Sequence, residues 1–201
     1  MEIEQLAPGI VSYTGVMDDP AQFISDLEGL VEINRIQWSE ASQSSGGYND
    51  ESKVVKSARD CSAISIPAFD LNPELKNSAQ YEFATLHDYL NEQLLKAVDD
   101  YRNSHAAGHW VDSEGWQILK YGEGNHFTNH YDDAKKYPRT ISMSFYLNDN
   151  YEGGEIEFPR FGLTIKPKAN QMIMFPSNYV YNHIVHPVKS GLRYAVVAWW
   201  N

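Results

Sequence analysis

The chain has 201 residues, of which 42% are hydrophobic, and a formal net charge of -11 from 27 acidic and 16 basic side chains. This length supports one well-buried core and is short for two independent domains, so we predict a single domain. The negative charge disfavours nucleic acid as a partner, because such a surface repels phosphates. Cys61 is the only cysteine. An intrachain disulfide and a cysteine-based zinc or iron-sulfur site are therefore excluded.

The N-terminus carries acidic residues where a signal peptide needs a basic segment, and no apolar run approaches the length of a membrane span. We therefore expect a soluble, cytoplasmic protein that makes no membrane contact.

The first third of the chain predicts two short strands and one helix. A strand is predicted from Ile10 to Tyr13, and Asp19-Pro20 then supplies an N-cap and an early proline for a helix that runs to about Leu30. The segment from Ile33 to Trp38 predicts a second strand. Residues 39–52 are rich in Ser, Gly and Asn and cannot bury much apolar surface, which predicts a loop.

The longest helix is predicted to begin at Asn72-Pro73 and to end in the polar residues 103–105. Its apolar residues recur at helical spacing and form one stripe: Leu86, Tyr89, Leu90, Leu94, Val98 and Tyr101. We expect this stripe to brace a sheet.

After Trp110 the pattern changes to about eight short β-like runs separated by turn signals such as Gly153-Gly154 and Ser190-Gly191. Eight strands are enough to close a small barrel or a jelly roll. The predicted fold is mainly β with N-terminal helices, in which helices come first and the barrel second.

A His-x-Asp triplet lies early in this β-rich half. Residues two apart on a strand point to the same side, so His130 and Asp132 can converge on one ion if the segment is extended, while Tyr131 faces away. Two imidazoles and one carboxylate are the ligand set of a ferrous ion that keeps coordination positions open. The triplet alone is weak evidence, and its alternative is a polar strand end.

The second imidazole comes from one of two nearby histidines. His183 and His186 differ in parity, so only one of them can face the barrel interior. In a regular strand His183 shares a face with Tyr181 and Val185, whereas His186 stands beside Pro187, where the strand is expected to end. We favour His183 and interpret His186 as a surface or outer-shell residue.

A later arginine offers an anchor for an anion. Arg193 alternates with apolar residues in the last predicted strand, and a buried arginine needs an anionic partner. A bound dicarboxylate is one candidate, and a structural Asp or Glu is the other. The strand from Arg139 to Tyr146 has one apolar and one hydroxylated face, and Tyr146 offers its phenol to a ligand.

Residues 116–200 resemble the iron(II)- and 2-oxoglutarate-dependent dioxygenases, and among them the prolyl 4-hydroxylase-like group. The order and spacing of several motifs carry this resemblance: Tyr121, His130-x-Asp132, Phe145-Tyr146-Leu147-Asn148, Gly153-Gly154-Glu155, Phe158-Pro159, Phe175-Pro176-Ser177, His183-x-Val185-x-Pro187-Val188 and Gly191-x-Arg193-Tyr194. Arg193 stands where many collagen-type members have lysine, which favours a compact enzyme of microbial or phage type.

The resemblance implies a role for each matching residue. His130, Asp132 and His183 would ligate iron, and the family's distal ligand also stands four residues before the proline. Arg193 and Tyr146 would bind the far carboxylate of 2-oxoglutarate.

Two aromatic residues complete the implied site. Tyr121 would lie beside the co-substrate or substrate, and Trp199 would form an aromatic wall of the pocket. The implied cofactors are Fe(II), 2-oxoglutarate and O₂, with L-ascorbate as reductant. The implied fold is a double-stranded β-helix (a jelly roll) at residues 111–201, with residues 1–110 as helix-and-strand support in one dioxygenase domain.

The substrate is the open question. The leading hypothesis is hydroxylation of a prolyl residue in a peptide or protein, with 2-oxoglutarate converted to succinate and CO₂. The alternatives are hydroxylation of a free amino acid or other small molecule, and a non-catalytic jelly-roll binding module. Residues 39–52 and Asp133 to Tyr137 are candidate lids, because both are polar and turn-rich.

Overall fold

The structure is a computed structural model that describes residues 1–41, 43–44, 52–67, 79–105, 112–133 and 138–201. Two helices and seventeen strands lie in these ranges. The helices are α1 (Pro20–Glu32) and α2 (Ala79–His105). The strands of the first half are β1 (Glu2–Ala7), β2 (Ile10–Thr14), β3 (Ser39–Glu40), β4 (Gln43–Ser44), β5 (Ser52–Lys53), β6 (Arg59–Asp60) and β7 (Ser62–Ile66).

Ten further strands follow α2 in the described part of the chain. They are β8 (Ser113–Tyr121), β9 (His126–His130), β10 (Ile141–Tyr146), β11 (Glu152–Gly153), β12 (Ile156–Phe158), β13 (Leu163–Ile165), β14 (Gln171–Pro176), β15 (His183–Val185), β16 (Val188–Ser190) and β17 (Arg193–Trp200). Short 3-10 turns lie at Pro159–Phe161 and Tyr179–Tyr181. Neither described helix combines the length and hydropathy that a membrane crossing requires.

The strands form two main antiparallel sheets. The major sheet has eight strands in the order β1-β2-β14-β10-β17-β8-β7-β3, and the minor sheet has five in the order β13-β12-β15-β9-β6. Apolar side chains from both sheets meet in one cluster, with Tyr146 and Ala195 from the major sheet and Ile156 and Phe158 from the minor sheet. This is the two-sheet jelly roll expected from the sequence.

The helices cover the other face of the major sheet. The alternation along β10 explains this, because Ile141, Met143 and Phe145 belong to the cluster that also contains Leu90 and Leu94 of α2. Ser142 and Tyr146 lie on the opposite face of β10, toward the interior of the jelly roll. The long helix therefore braces the sheet, as its apolar stripe predicts.

The predicted strand from Ile33 to Trp38 is wrong. Helix α1 runs to Glu32, and the amides of Ile33 and Arg35 still donate to Gly29 and Leu30 at 3.2 and 2.9 Å. The chain reverses at Asn34, whose φ of 58° is the left-handed conformation that commonly ends helices. Ile33 is consequently 65% exposed.

The predicted order of helices first and barrel second is also too simple. Strands β1 and β2 lie before α1 and extend the major sheet through the pairing of β2 with β14. Strand β7 lies before α2 and pairs with β8 over five residue positions. The N-terminal half thus supplies strands as well as helices to the jelly roll.

Several sequence predictions fall outside the described residues. The predicted start of the long helix at Asn72-Pro73 is one, and residues 134–137 and 45–51 of the two candidate lids are others. Ser39–Glu40, at the start of the first candidate lid, is strand β3 and pairs with β7.

The packing of α2 on the sheet predicts a large effect at Leu90, which is fully buried. We expect Leu90→Ala to lower the free energy of unfolding by about 2–5 kcal/mol, because the side chain leaves a cavity. Urea denaturation measures the change. Lys96→Ala, at an exposed position of the same helix, is the control and should change stability by less than about 0.5 kcal/mol. A loss under about 1 kcal/mol at Leu90 would contradict the packing described.

Candidate metal centre and co-substrate pocket

Two histidines from neighbouring strands face each other in the minor sheet. His130 ends β9, His183 begins β15, and their Cα atoms are direct partners in the antiparallel pair. The two ring centroids are 4.2 Å apart. A register shift in this pair sets Phe127 opposite Val185, and the Phe127 ring stacks on His130. This register shift explains how Phe127 and His130, which are three residues apart, lie on the same face of the strand.

Asp132 joins the two histidines from just beyond the end of β9. The backbone amides of Asp132 and Asp133 both donate to the carbonyl oxygen of Ser177, at 3.1 and 2.9 Å. Asp132 Oδ1 lies 3.6 Å from His130 Nε2, and Oδ2 lies 3.9 Å from His183 Nε2. Parity along an extended strand is therefore not the cause of convergence, because β9 ends at His130. The hydrogen bonds to Ser177 bring the carboxylate into place.

The two imidazole rings are oriented by hydrogen bonds to backbone carbonyl oxygens. Nδ1 of His130 lies 2.7 Å from the carbonyl oxygen of Thr128, and Nδ1 of His183 lies 3.1 Å from that of Tyr181. A carbonyl oxygen only accepts, so each Nδ1 carries the proton and each Nε2 presents its lone pair to the Asp132 side. One ligand atom from each of the three residues lies within 4.8 Å of the others. Such backbone contacts commonly orient metal-binding histidines.

The electrostatics of the cluster favour the same protonation states. Burial, followed by the repulsion from His183, lowers the pKa of His130 and keeps its ring neutral. Burial would raise the pKa of Asp132, but the two histidines and the hydrogen bond from Ser142 outweigh it and lower that pKa. A neutral imidazole and an ionised carboxylate are the forms that bind a metal ion. These residues therefore fit Fe(II).

His186 lies outside this cluster. Its Nε2 is 2.7 Å from Glu157 Oε2, and 38% of its side chain is exposed. His183, in contrast, has only 6% of its side chain exposed. The structure thus places His183 and not His186 beside Asp132.

Arg193 is the buried cation of the same interior. It is 2% exposed, and among the described residues no carboxylate forms an ion pair with it. Its guanidinium carbon lies 4.7 Å from the ring centroid of Tyr121 and 5.0 Å from that of Tyr146. Arg193 Nε and Tyr146 Oη are both buried without a hydrogen-bond partner among these residues. The pair fits a ligand that brings a carboxylate.

A third tyrosine beside Arg193 is not evident from the sequence. Tyr151 is 4% exposed, and Lys166 Nζ holds its loop by donating to the carbonyl oxygens of Tyr151 and Gly153 at 3.0 and 2.8 Å. A Cβ atom at Gly154, whose φ is 65°, would come within 3.0 Å of both Arg193 and Tyr151. Gly154 therefore allows the Tyr151 loop to pack on Arg193. In the sequence, only the Gly153-Gly154 pair indicates this close packing.

One cavity is lined both by the cluster and by the arginine. Its lining includes His130, Asp132, His183, Arg193, Tyr121 and Trp199. Tyr146 contacts Arg193 but is not itself among the lining residues.

Trp199 lines this cavity. The guanidinium of Arg139 lies 3.9 Å from the Trp199 ring centroid and is held by Glu114 through hydrogen bonds of 2.7 and 2.6 Å. This stacking fixes the indole as a wall of the pocket.

The fold and the site together define a class of protein. A two-sheet jelly roll offers a metal ion three ligands and, in the same cavity, offers a carboxylate a buried arginine. Two histidines and one carboxylate are the ligand set found in non-haem Fe(II) oxygenases.

Comparisons with known proteins agree with this description of the fold and the site. Residues 116–201 match the sequence model of the 2OG-Fe(II) oxygenase superfamily. A PKHD-type hydroxylase of Synechococcus sp. strain CC9902 is 35% identical over 82 residues, which are 39% of this chain and 35% of that protein. Human prolyl 3-hydroxylase 2 is 39% identical over 67 residues, which are 31% of this chain and 10% of that protein.

A solved structure shows the fold over nearly the whole chain. A Trichoplax adhaerens prolyl hydroxylase, in complex with a hypoxia inducible factor oxygen degradation domain peptide fragment, superposes with a TM-score of 0.70 at 17% identity. The match covers 96% of this chain and 84% of the other. The sequence matches, by contrast, span about a third or less of the two curated relatives.

Residues 116–201 are therefore similar in sequence to the 2OG-Fe(II) oxygenase superfamily, and the solved structure shares the fold. The resemblance seen in the sequence is confirmed.

The geometry predicts which histidine matters for metal binding. We expect the wild-type protein to bind one equivalent of Fe(II) in anaerobic equilibrium dialysis. His183→Ala should weaken binding by more than the roughly 10- to 100-fold that loss of an outer-shell partner costs, because a direct ligand is removed. His186→Ala is the matched control and should bind as the wild type does. Equal losses in the two variants would contradict the assignment.

Proposed function

We propose that the protein is an Fe(II)- and 2-oxoglutarate-dependent dioxygenase that hydroxylates a C–H bond of a prolyl residue in a peptide or protein. The observation that carries this proposal is the shared cavity of the His130, Asp132 and His183 cluster and Arg193. When bound, Fe(II), 2-oxoglutarate and O₂ supply the oxidation, and 2-oxoglutarate leaves as succinate and CO₂. L-ascorbate is the proposed reductant.

In this proposal His130, Asp132 and His183 would hold the iron, which would bind and activate the co-substrates. Arg193 binds the distal carboxylate of 2-oxoglutarate through its guanidinium, and Tyr146 donates its phenol proton to the same carboxylate. The support is that Arg193 Nε and Tyr146 Oη, like Tyr151 Oη beside Arg193, are buried without a hydrogen-bond partner among the described residues. A bound carboxylate would give both atoms a partner in a site from which water is excluded.

The remaining pocket residues would orient the reactants. Tyr121 packs on Arg193 and confines the co-substrate, since its ring lines the cavity 4.7 Å from the guanidinium carbon. Trp199, held by Arg139, would form the wall against which substrate packs. A flat aromatic wall suits the apolar ring of a proline residue.

The peptide substrate is proposed on the strength of the relatives. Prolyl 3-hydroxylase 2 and the Trichoplax enzyme are both named as prolyl hydroxylases, and the Trichoplax structure is a complex with a peptide.

Mass spectrometry tests the reaction and its substrate class together. The enzyme is incubated with Fe(II), ascorbate, 2-oxoglutarate and either proline-rich peptides or free proline. We expect a gain of about 16 Da on the peptides, with succinate formed in step. Asp132→Ala should form no succinate. A gain on free proline alone would reject the peptide substrate, and no succinate with any member of a broad substrate panel would favour a binding module.

The role of Tyr146 can be tested without removing its ring. We expect Tyr146→Phe to raise the KM for 2-oxoglutarate roughly tenfold or more, because a hydrogen bond to a charged group contributes about 1.5–3 kcal/mol. Initial rates at varied 2-oxoglutarate give the value. Tyr13→Phe is the matched control, since Tyr13 is equally buried in the major sheet but bonds to Asp100. Equal KM values for both variants would remove Tyr146 from the co-substrate site.

A further inference from the structure

Two buried serines connect Asp132 to the major sheet. Ser142 is the second residue of β10, and Ser177 directly follows β14; each is 1% exposed. Ser142 Oγ lies 2.6 Å from Asp132 Oδ2 and 2.9 Å from Ser177 Oγ. The three side chains therefore form a continuous hydrogen-bonded line from the sheet to the metal-ligand cluster.

The direction of the protons along this line follows from the chemistry of its members. A carboxylate accepts hydrogen bonds but cannot donate them, so Ser142 must donate its single hydroxyl proton to Asp132. Ser142 can then only accept in its second contact, which makes Ser177 the donor to Ser142. Each bond polarises the next, and the Ser142 hydroxyl becomes a stronger donor to Asp132 than an isolated serine would be.

The backbone of Ser177 holds the Asp132 segment independently of its hydroxyl. Its carbonyl oxygen accepts from the amides of Asp132 and Asp133, and its own amide donates to Thr140 at 2.9 Å. An alanine at this position keeps all three backbone bonds. Serine-to-alanine changes at positions 142 and 177 thus remove the hydroxyl line alone.

We propose that Ser142 and Ser177 are positioning residues for the metal site, acting through the Asp132 carboxylate. The line engages Oδ2, so Oδ1, which lies 3.6 Å from His130 Nε2, would be the oxygen that binds the metal. A carboxylate that is hydrogen-bonded through one oxygen would supply only its other oxygen to the metal. The remaining coordination positions of the metal would then be free for co-substrates. The inference rests on the proposed function, in which Asp132 is a metal ligand.

The test measures the affinity of the apoprotein for Mn(II), with free Mn(II) followed by electron paramagnetic resonance. Outer-shell partners typically contribute 10- to 100-fold to metal affinity, so we expect Ser142→Ala to weaken binding by about tenfold or more. Ser177→Ala should weaken binding by a smaller factor. In the Ser142→Ala background, Ser177→Ala should have no further effect, because it acts through the Ser142 hydroxyl.

Three controls separate positioning from general structural damage. Ser12→Ala removes another buried hydroxyl of the major sheet, which accepts from Gln171 Nε2 at 2.8 Å, and should keep the wild-type affinity. Ser142→Cys keeps the side-chain size with a weak donor and should behave like Ser142→Ala, which covers the case that the alanine variant does not fold. Circular dichroism confirms the fold of each variant.

Each outcome has one meaning. Unchanged or tighter Mn(II) binding by both Ser142 variants overturns the inference, as does an equal effect of Ser177→Ala in both backgrounds. If wild-type protein and Asp132→Ala bind Mn(II) equally poorly, the proposed metal site fails instead.

Discussion

The rest of the site depends on the register of one pair of short strands. Strands β9 and β15 set His130 directly opposite His183, and cross-strand partners on one face of a sheet lie close enough for their side chains to touch. A shift by one residue would turn one imidazole to the outer face. His186 shows the result of facing outward, since it pairs with Glu157 on the exposed side of the minor sheet.

The second constraint is the positive charge of Arg193, which forms no ion pair with any acidic side chain among the described residues. Arg193 lies in an interior where burying an unpaired cation is costly. The aromatic faces of Tyr121 and Tyr146 lessen this cost but leave the net charge in place. Such a site gains stability when a carboxylate binds. The buried arginine and the metal cluster thus both favour an anionic ligand that spans the cavity between them.

The sequence was sufficient for the main type of fold, and it named the histidine that the structure places beside Asp132. Motif spacing and parity single out His183 over His186, and the alternation along β10 places its apolar face against α2. These features are local, because they depend on periodicities of two and 3.6 residues. The sequence also predicted Arg193 as buried, though not whether a protein carboxylate or a ligand would pair with it.

The features that the sequence did not predict depend on contacts between distant segments. Asp132 converges on the histidines through hydrogen bonds to Ser177, and Ser142 reaches it from the other sheet. The strand predicted from Ile33 to Trp38 does not form, because Asn34 takes a left-handed conformation. Residue propensity alone does not predict that conformation. The pairing of β2 with β14 joins segments about 160 residues apart, which no short-range pattern specifies.

A crystal structure grown without oxygen, with Fe(II) and 2-oxoglutarate, tests the central claim most directly. We predict an anomalous iron peak bound by His130 Nε2, Asp132 and His183 Nε2, and the distal carboxylate of 2-oxoglutarate against Arg193 and Tyr146. Iron bound elsewhere, or Arg193 paired with a protein carboxylate while 2-oxoglutarate is absent from the cavity, would contradict it.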